Sequence, residues 1–571
     1  MAKGYRPVLR DQLFVLPPDM REWLPAGHPV HLVIGAVGRM DTSSFHARRR
    51  TGGAGAAGFD PDMLVTVLVW AYANGVTSSR RIEDLCRTDV AFRLAAGGNT
   101  PDHCVIADFR KDAGPAMAAL FEQVLVLCAE LGMGRLGVVA LDGTKIAANA
   151  SKAANRSEAR LRELAAELAA AHERTDAAED ALFGQDRRGD EPPGGGGWRD
   201  ADKAARIGAA IDAIEAGRAG QAASREDKAR AQVEQARQSG PRAGHVMPEA
   251  GPQIAQIALD KAIADQEAKI ADWHARNAGR AAAGRPLLTG TPPLPPERSA
   301  RVRRARDRAE AAQARKETAA ARAAAKDQAR NNGSGPVANL TDPGSRLMPT
   351  RNGFIQGYNP QQVTSADKLI IATELTDSTT DAQWFEPMLQ RAQDAARLIT
   401  AHQPPPSASA PATPGQPAAG DGAAGYLPPA SDGSPGRYDG PIGLFLSDAG
   451  YCSETSISAP GPPRLIATGK RRDLEQAARD GDDGKNRDNP HTIAMAAKLT
   501  TPASLTAYRQ RGHIAETPHG HIKHNLGIRR LSMRGKTKAA AEWNLITATY
   551  NLRKAITTSH LTPATLAALT T

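Results

Sequence analysis

Aromatic residues, cysteines and long apolar runs are all scarce in this chain of 571 residues. Phe, Trp and Tyr make up only 4% of it, while Gly and Pro number 53 and 40, so part of the chain cannot be core. The longest apolar run, residues 63–72, is too short to cross a bilayer, and the N-terminal Met-Ala-Lys-Gly-Tyr-Arg starts no apolar segment. The four cysteines have no C-x-x-C spacing, which argues against a disulfide framework or a zinc site. These absences predict a cytoplasmic protein in a reducing environment, without membrane association.

Basic charge is what the chain has in excess. The formal net charge is +10 and the pI is about 9.5. Many soluble proteins share a basic pI, so this signal is weak alone, but it favours an acidic partner, with nucleic acid first among the candidates. A DNA-binding protein of this kind would be associated with the nucleoid.

Residues 1–130 have the pattern of an all-α N-terminal domain. Asp60-Pro61 predicts a helix start, with Asp as the N-cap and Pro in the first turn, and Thr100-Pro101-Asp102 predicts another. Short helices joined by tight turns are compatible with a helix-turn-helix reader of DNA, and equally with an ordinary helical domain. The basic side chains that we expect to be exposed here are Arg80, Arg81, Arg110 and Lys111.

Two long stretches differ from the rest in composition. Residues 151–340 are rich in Ala, Arg, Lys, Glu and Asp, and Leu161, Leu164 and Leu168 illustrate an apolar spacing of three and four. This spacing predicts a helical insert packed as antiparallel coiled coils. Residues 403–440 are rich in Pro, Ala, Gly and Ser, which predicts a disordered linker.

The remaining segments, 131–150, 341–402 and 441–571, alternate between strand and helix patterns. Apolar runs predict strands at 136–141, 353–358, 369–375, 442–446 and 464–468, with an amphipathic helix at 381–402. Three strands, a helix and a return strand is the order of an α/β RNase H-like catalytic core, a mixed sheet flanked by helices. In such a core the first and fourth strands are adjacent, so Asp142 and Asp448, each following its strand, are expected to meet.

A third acid lies in a basic segment near the C-terminus. In a single helix, Tyr508, Arg511, Glu516 and Lys523 would fall on neighbouring turns of one face. A carboxylate among cations is expected where the acid binds a metal ion and the bases bind phosphate oxygens. The ordinary alternative is a solvated face with ion pairs. Together with the two aspartates, Glu516 would suit two Mg²⁺ ions, with Mn²⁺ as a substitute, for phosphodiester chemistry.

Short motifs outside the insert and the linker add a resemblance. They are FDP at 59–61, SSRRIE at 78–83, PDH at 101–103, FR at 109–110, LDGTKI at 141–146, ANAS at 148–151, GYN at 357–359, DAGY at 448–451, RG at 534–535 and NLR at 551–553. With the four C-terminal residues, the chain resembles bacterial insertion-sequence transposases of the DDE class. The subgroup it resembles has an N-terminal helical domain and a Y-x2-R-x4-E-x6-K signature.

The resemblance implies different roles for these residues. Asp142, Asp448 and Glu516 would be the catalytic and metal-binding triad. Three residues would grip the backbone of the element's end: Tyr508, Arg511 and Lys523. The implied reaction cuts the ends of the element by metal-dependent phosphoryl transfer and joins the freed 3′-hydroxyl to target DNA.

The resemblance also implies the DNA partners. The N-terminal domain would read terminal inverted repeats in double-stranded DNA, with Arg80, Arg81 and Arg110 as candidate contacts. We expect a homo-oligomer, at least a dimer, on that DNA and on the target.

Several alternatives stay open at this point. The chain could be an RNase H-like nuclease or resolvase that cleaves without joining, or a catalytically inactive DNA-binding derivative. Glu542 rivals Glu516 as the third acid, but it precedes an apolar helix and is expected to support that helix's first turn. The histidines of this segment could suggest zinc, but they have no Cys partners and we expect them to line a DNA surface. They are His513, His519, His521 and His524.

Overall fold

The computed structural model describes residues 19–47, 58–183, 197–240, 246–329, 335–405, 438–469 and 490–569. The chain divides into two compact units, one of Met1–Lys152 with Gly344–Thr571 and the other of Ala153–Pro343. Most of the segment predicted as a disordered linker, residues 406–437, lies outside the described residues. Among the described residues no single helix is long and apolar enough to cross a membrane, although the bent pair His103–Asp112 and Gly114–Glu130 passes that test jointly.

The described residues form the following helices and strands. The helices are α1 (Pro29–Val37), α2 (Ser43–His46), α3 (Pro61–Ala73), α4 (Ser79–Thr88), α5 (Val90–Ala95), α6 (His103–Asp112), α7 (Gly114–Glu130), α8 (Glu158–Phe183), α9 (Gly197–Ser239), α10 (Gly251–Ala282), α11 (Ala300–Ala329), α12 (Phe385–His402), α13 (Glu454–Ser458), α14 (Pro490–Leu499), α15 (Pro502–Gly520), α16 (Lys536–Thr557) and α17 (Pro563–Ala568). The strands are β1 (Val138–Gly143), β2 (Ile146–Ala147), β3 (Asn155–Ser157), β4 (Val337–Asn339), β5 (Arg346–Thr350), β6 (Gly353–Ser365), β7 (Ile370–Thr376), β8 (Leu444–Ser447) and β9 (Arg464–Ile466).

Helix α3 is the central helix of the N-terminal region. Its predicted N-cap is confirmed, because the Asp60 carboxylate accepts a hydrogen bond of 2.8 Å from the Asp62 backbone N–H. Of its 13 residues 11 are buried, which requires other elements on every side. One of these is α16, whose Arg553 Nη1 donates a bond of 2.7 Å to the Ala73 carbonyl. The first helices and the last long helix therefore share one core.

The sheet of the first unit joins strands from both sides of the insert. Among the described residues seven strands form it, in the order β7-β6-β1-β8-β9, with β2 and β5 also paired to β6. β6 is antiparallel to β1 and β7, whereas β1, β8 and β9 are parallel to one another. The predicted adjacency of the first and fourth core strands is confirmed by the pairing of Leu141 with Ser447.

The alternation of side chains along the strands decides which face carries the acids. Leu141 belongs to the large apolar cluster on one face, whereas Ala140 belongs to a smaller cluster with residues of α14 and α15 on the other. Asp142, two residues after Ala140, therefore lies on the α15 face. Asp448 follows Leu446, a member of the same smaller cluster, by the same spacing.

The second unit is built mainly from the long helices α8 to α11, with β3 and β4 paired as a small antiparallel ribbon. Its apolar clusters are small; one contains Leu161, Ala210, Ile214 and Ala338. Much of its surface is instead covered by ion pairs, and the buried Glu158 binds both Arg162 and Arg218. The unit is thus helical with a narrow apolar seam, and its packing as coiled coils stays a prediction.

Arg110 is buried, so the expectation that it is exposed is wrong. Its Nη1 donates to the Tyr72 hydroxyl at 2.9 Å and to the Thr77 carbonyl at 2.7 Å, and its Nη2 donates to Ser79 Oγ at 2.8 Å. The residue lies near the end of α6, against α3 and the start of α4. Local sequence could not distinguish this buried guanidinium from the exposed ones of Arg80 and Arg81.

Glu542 continues this buried network. Its carboxylate accepts hydrogen bonds from the Tyr72 hydroxyl at 2.8 Å, from Ser532 N at 2.8 Å and from Met533 N at 2.9 Å. Since α16 begins at Lys536, Glu542 lies in its second turn, and the expectation that it supports the first turn is wrong. It instead anchors the preceding loop and α3 to the last long helix.

We expect Arg110→Ala to lower the free energy of unfolding by about 3 kcal/mol, because it removes charge-assisted bonds and leaves buried acceptors unpaired. Arg81→Ala is the control, since Arg81 is exposed and pairs with Asp84; its effect should stay within about 0.5 kcal/mol. Urea denaturation of both variants measures the difference. Equal effects would mean that the buried network contributes no more than a surface arginine.

Candidate active site

Asp142 lies inside the last part of β1 rather than beyond it. It pairs with Gln362 of β6, and its side chain is only 16% exposed, so the expectation that Asp142 follows its strand is wrong. The antiparallel ladder with β6 extends the strand past the apolar run that predicted it. Burial raises the pKa of Asp142 to about 7; the charges of Asp448 and Glu516 act in the same direction, and Arg511 opposes them.

Asp448 directly follows β8 and caps a 3-10 turn, Ala449–Tyr451. Its carboxylate accepts a bond of 3.0 Å from the Gly450 backbone N–H. Burial raises the pKa of this carboxyl, while the Arg511 guanidinium and the bond from Gly450 lower it. Because β1 and β8 are parallel and in register through Leu141 and Ser447, the two aspartates are the next residues on neighbouring strands.

Arg511 connects this pair of acids to Glu516. Its Nη1 is 3.7 Å from Asp142 Oδ1, and its Nη2 is 3.6 Å from Glu516 Oε1. The Arg511 side chain is 17% exposed, whereas that of Glu516 is 67% exposed. Three carboxylates, one on β1, one after β8 and one on α15, therefore face a single guanidinium.

Tyr508 and Lys523 tie the same helical segment to the strand ends. The Tyr508 hydroxyl donates to the Ser447 carbonyl at 3.1 Å, next to Asp448. Lys523 Nζ donates to Thr144 Oγ1 and, at 2.7 Å, to the Lys145 carbonyl. Burial lowers the pKa of Lys523 to about 8.

Lys523 does not continue one regular helix from Tyr508. α15 contains Pro518 and ends at Gly520, and His521–Asn525 forms a π-helical turn. Proline disturbs the preceding turn because it has no N–H and its ring crowds the carbonyl four residues earlier. The prediction of a single helical face for all four residues is therefore wrong at its C-terminal end, although Lys523 still reaches the end of β1.

A buried polar network that sequence reasoning missed lies on the other face of the strand ends. Asp381 Oδ1 accepts bonds of 2.6 Å from Asn359 Nδ2 and 2.8 Å from Gln361 Nε2. Gln361 Oε1 in turn accepts a bond from the Tyr451 hydroxyl, three residues after Asp448. This network holds β6, the turn after β8 and the segment before α12 together behind the acids.

Gly143 and Lys145 complete the contacts of Asp381. A Cβ at Gly143 would lie 2.7 Å from Gln361 Nε2 and 2.9 Å from Asp381 Oδ1, so a larger residue would displace these hydrogen-bonded side chains. Lys145 Nζ lies 3.6 Å from Asp381 Oδ1. A glycine at the end of a strand, directly after an acid, was the one sequence signal for such a close approach.

The histidines of this segment do not share one environment. His519 is 7% exposed, and burial lowers its pKa to about 3, so it is a neutral core residue and does not line a DNA surface. His513 and His524 are exposed, and His521 is half-buried. Among the described residues, no group of side chains close enough to share a metal ion includes any of these four histidines.

The three carboxylates suit a hard divalent cation. Carboxylate oxygens are the donors that such ions prefer. The pKa of Asp142 is raised by burial and by the charges of Asp448 and Glu516, although Arg511 acts in the opposite direction. The site therefore needs more positive charge than this one arginine supplies. Asp142, Asp448 and Glu516 would hold the ion. A cation there would favour the ionised carboxylates.

Acids at the ends of parallel strands, beside cations that suit phosphate, form an arrangement suited to metal-dependent phosphoryl transfer. Residues 18–112 match the family model described as transposase domain (DUF772), and residues 484–556 match that of the transposase DDE domain. The chain is an insertion-sequence DDE transposase. No curated protein and no solved structure matches it significantly. The second match includes Glu516 but neither aspartate, so the assignment of those two rests on geometry.

We expect Gly143→Ala to slow DNA cleavage by about 10- to 100-fold, because the added methyl group displaces Gln361 and Asp381 and shifts the strand end that carries Asp142. Gly520→Ala is the matched control, since its Cβ would meet nothing within 4 Å and alanine favours a helix. Initial cleavage rates on end-containing DNA, with circular dichroism to verify folding, measure the effect. Equal rates for both variants would contradict the role of the network.

Proposed function

We propose that Asp142, Asp448 and Glu516 are the catalytic triad and hold two Mg²⁺ ions, which Mn²⁺ can replace. The enzyme hydrolyses a phosphodiester at each end of its element, and the freed 3′-hydroxyl then attacks a target phosphodiester. In each step a new P–O bond forms as one P–O bond breaks, and the leaving oxygen takes up a proton. The observation that carries this proposal is the position of Arg511 between Asp142 and Glu516 at 3.7 and 3.6 Å, beside Asp448.

The protein's own groups orient the substrate. When bound, the metal ions supply activation of the attacking oxygen and stabilisation of the leaving oxygen. Arg511 offers a planar fork of donors that suits a phosphate, and Lys523 offers a point charge beside the end of β1. Tyr508 remains a candidate contact of the DNA backbone, and its bond to the Ser447 carbonyl fixes the helix that carries both Arg511 and Glu516.

The proposed architecture is that of one transposase subgroup. We assign the chain to the subgroup with the Y-x2-R-x4-E-x6-K signature, on an RNase H-like core in which residues 151–340 are a coiled-coil insert. The domain boundaries are those drawn from the sequence. DNA as substrate implies association with the nucleoid.

The N-terminal helices would read the terminal inverted repeats. Arg80 and Arg81 are exposed and remain candidate contacts, whereas the buried Arg110 does not. A homo-oligomer, at least a dimer, would hold two ends and the double-stranded target together, since each end needs its own set of acids.

We expect Glu516→Gln and Asp142→Asn each to reduce Mg²⁺-dependent nicking by about 100-fold or more, because phosphoryl transfer depends on positioned charge. The assay uses duplex DNA that carries the repeats flanking the gene, with wild-type protein beside each variant. Glu516→Gln should leave the unfolding midpoint unchanged, since its side chain is 67% exposed.

Glu542→Gln is the control for the rival acid. It should lower the free energy of unfolding by about 2 kcal/mol, because Glu542 accepts several buried bonds, while the folded fraction keeps nicking. Wild-type nicking rates in Glu516→Gln would move the third acid elsewhere. Cleavage without joining by the wild type would instead identify a nuclease, and binding without cleavage an inactive derivative.

We expect Arg511→Ala and Lys523→Ala each to weaken binding of end DNA and to reduce the slope of log K against log[salt] by about one unit, the value for one phosphate contact. Arg397→Ala is the control, because Arg397 is exposed and already paired with Asp394. Fluorescence anisotropy at a series of NaCl concentrations measures the slopes. Slopes equal to that of the wild type would exclude phosphate contacts by these two residues.

A further inference from the structure

Helix α11 carries a large excess of positive charge within the unit Ala153–Pro343. Its 30 residues include seven arginines and two lysines against two aspartates and two glutamates. Elsewhere in this unit exposed arginines commonly pair with an acid one turn away on their own helix. Examples are Arg206 with Asp202, Arg230 with Glu226 and Arg276 with Asp272.

Four arginines of α11 lie along one line on its surface. At 3.6 residues per turn, Arg304, Arg308, Arg315 and Arg322 point within about 40° of one another. At 1.5 Å per residue they span about 27 Å along the helix axis. We call these four residues the arginine stripe.

The arginine stripe is exposed, and its charge is not compensated. All four side chains are exposed, and none of them has an ion pair within the described ranges 153–183, 197–240, 246–329 and 335–343. The glutamates of the helix, Glu310 and Glu317, point more than about 100° away from the stripe, so Asp307 is the nearest acid on this helix. The residues nearest this line between the arginines are Ala311, Thr318 and Ala319, all with short side chains.

The second half of α11 also lacks the packing against neighbouring residues that a helix in a folded protein normally has. Residues 313–325 are exposed, except for the half-buried Ala319. A residue from outside the helix that lies near this half is Pro248, which lines a shallow pocket together with Arg315 and Arg322. A polar helix without a packed face or compensating ion pairs is marginal in water, which favours a partner that supplies charge.

We propose that the arginine stripe of α11 binds the phosphate backbone of duplex DNA, outside the carboxylate site. A polyanion with regularly spaced phosphates complements four uncompensated guanidinium groups on a straight helix, and the short side chains between them permit close approach. The inference rests on the proposed function only in that DNA is the substrate. It assigns to the insert a role in holding DNA that is independent of metal.

The test compares the full-length wild type with the variant Arg304→Ala/Arg308→Ala/Arg315→Ala/Arg322→Ala. Binding of a 30-base-pair duplex without repeats is measured by fluorescence anisotropy in EDTA, between 50 and 200 mM NaCl, so that cleavage cannot interfere. Loss of four phosphate contacts should reduce the slope of log K against log[salt] by about 3.6. Over this range the wild type should lose about 150-fold more affinity than the variant.

The matched control is Arg206→Ala/Arg230→Ala/Arg237→Ala/Arg276→Ala, which changes the net charge equally in the same unit. These arginines are exposed but already paired with acids. The slope of log K against log[salt] for the control variant should therefore remain close to that of the wild type. Alanine favours helices, and circular dichroism verifies that both variants fold. A stripe variant with the slope of the wild type, or of the control, would overturn the proposal.

The proposed function is tested separately on the same preparations. One outcome would overturn only the role of the stripe. In that outcome the wild type nicks end DNA with Mg²⁺, and the stripe variant has the same slope of log K against log[salt] as the wild type. A reduced stripe slope with no nicking by the wild type would support the stripe and count against the catalytic assignment.

Discussion

The parallel pairing of β1 with β8 is the contact on which the site depends. The register that joins Leu141 to Ser447 makes Asp142 and Asp448 neighbours, although the insert lies between them in the chain. Bringing two carboxylates together in a half-buried place costs free energy through lost hydration and mutual repulsion. Arg511, on the helix that packs against this face, offsets part of that cost.

The two faces of the sheet carry different groups at the strand ends. The α15 face carries the acids and their cations, and the opposite face carries the bonds from Asn359, Gln361 and Tyr451. The second set joins β6 to the turn after β8 and to the segment before α12. It restricts how far the charged ends can move apart, so the repulsion on one face is opposed by hydrogen bonding on the other.

Much of this arrangement could be predicted from the sequence, because local apolar patterns give the order of strands and helices along the chain, and that order is the one of an RNase H-like core. The meeting of Asp142 with Asp448 followed from that order. The role of Asp381 did not, since its partners Asn359 and Gln361 come from β6, and Gln361 in turn is bound by Tyr451 of the turn after β8. Arg110 was misjudged for a related reason: a local pattern cannot tell whether a tyrosine hydroxyl and two distant carbonyl or hydroxyl groups will surround a guanidinium. Pro518, in contrast, is a signal in the sequence itself that the helix loses its regular form before Lys523.

The shared core of α3 and α16 has a consequence for the order of events during synthesis. The side chains of α3 that pack against α16, with Tyr72 bound to Glu542, find this partner only when the last tenth of the chain has been made. At roughly 5–20 residues per second, the first helices wait about half a minute or longer with apolar surface uncovered. A message truncated before α16 would therefore yield an N-terminal region that cannot complete its own core.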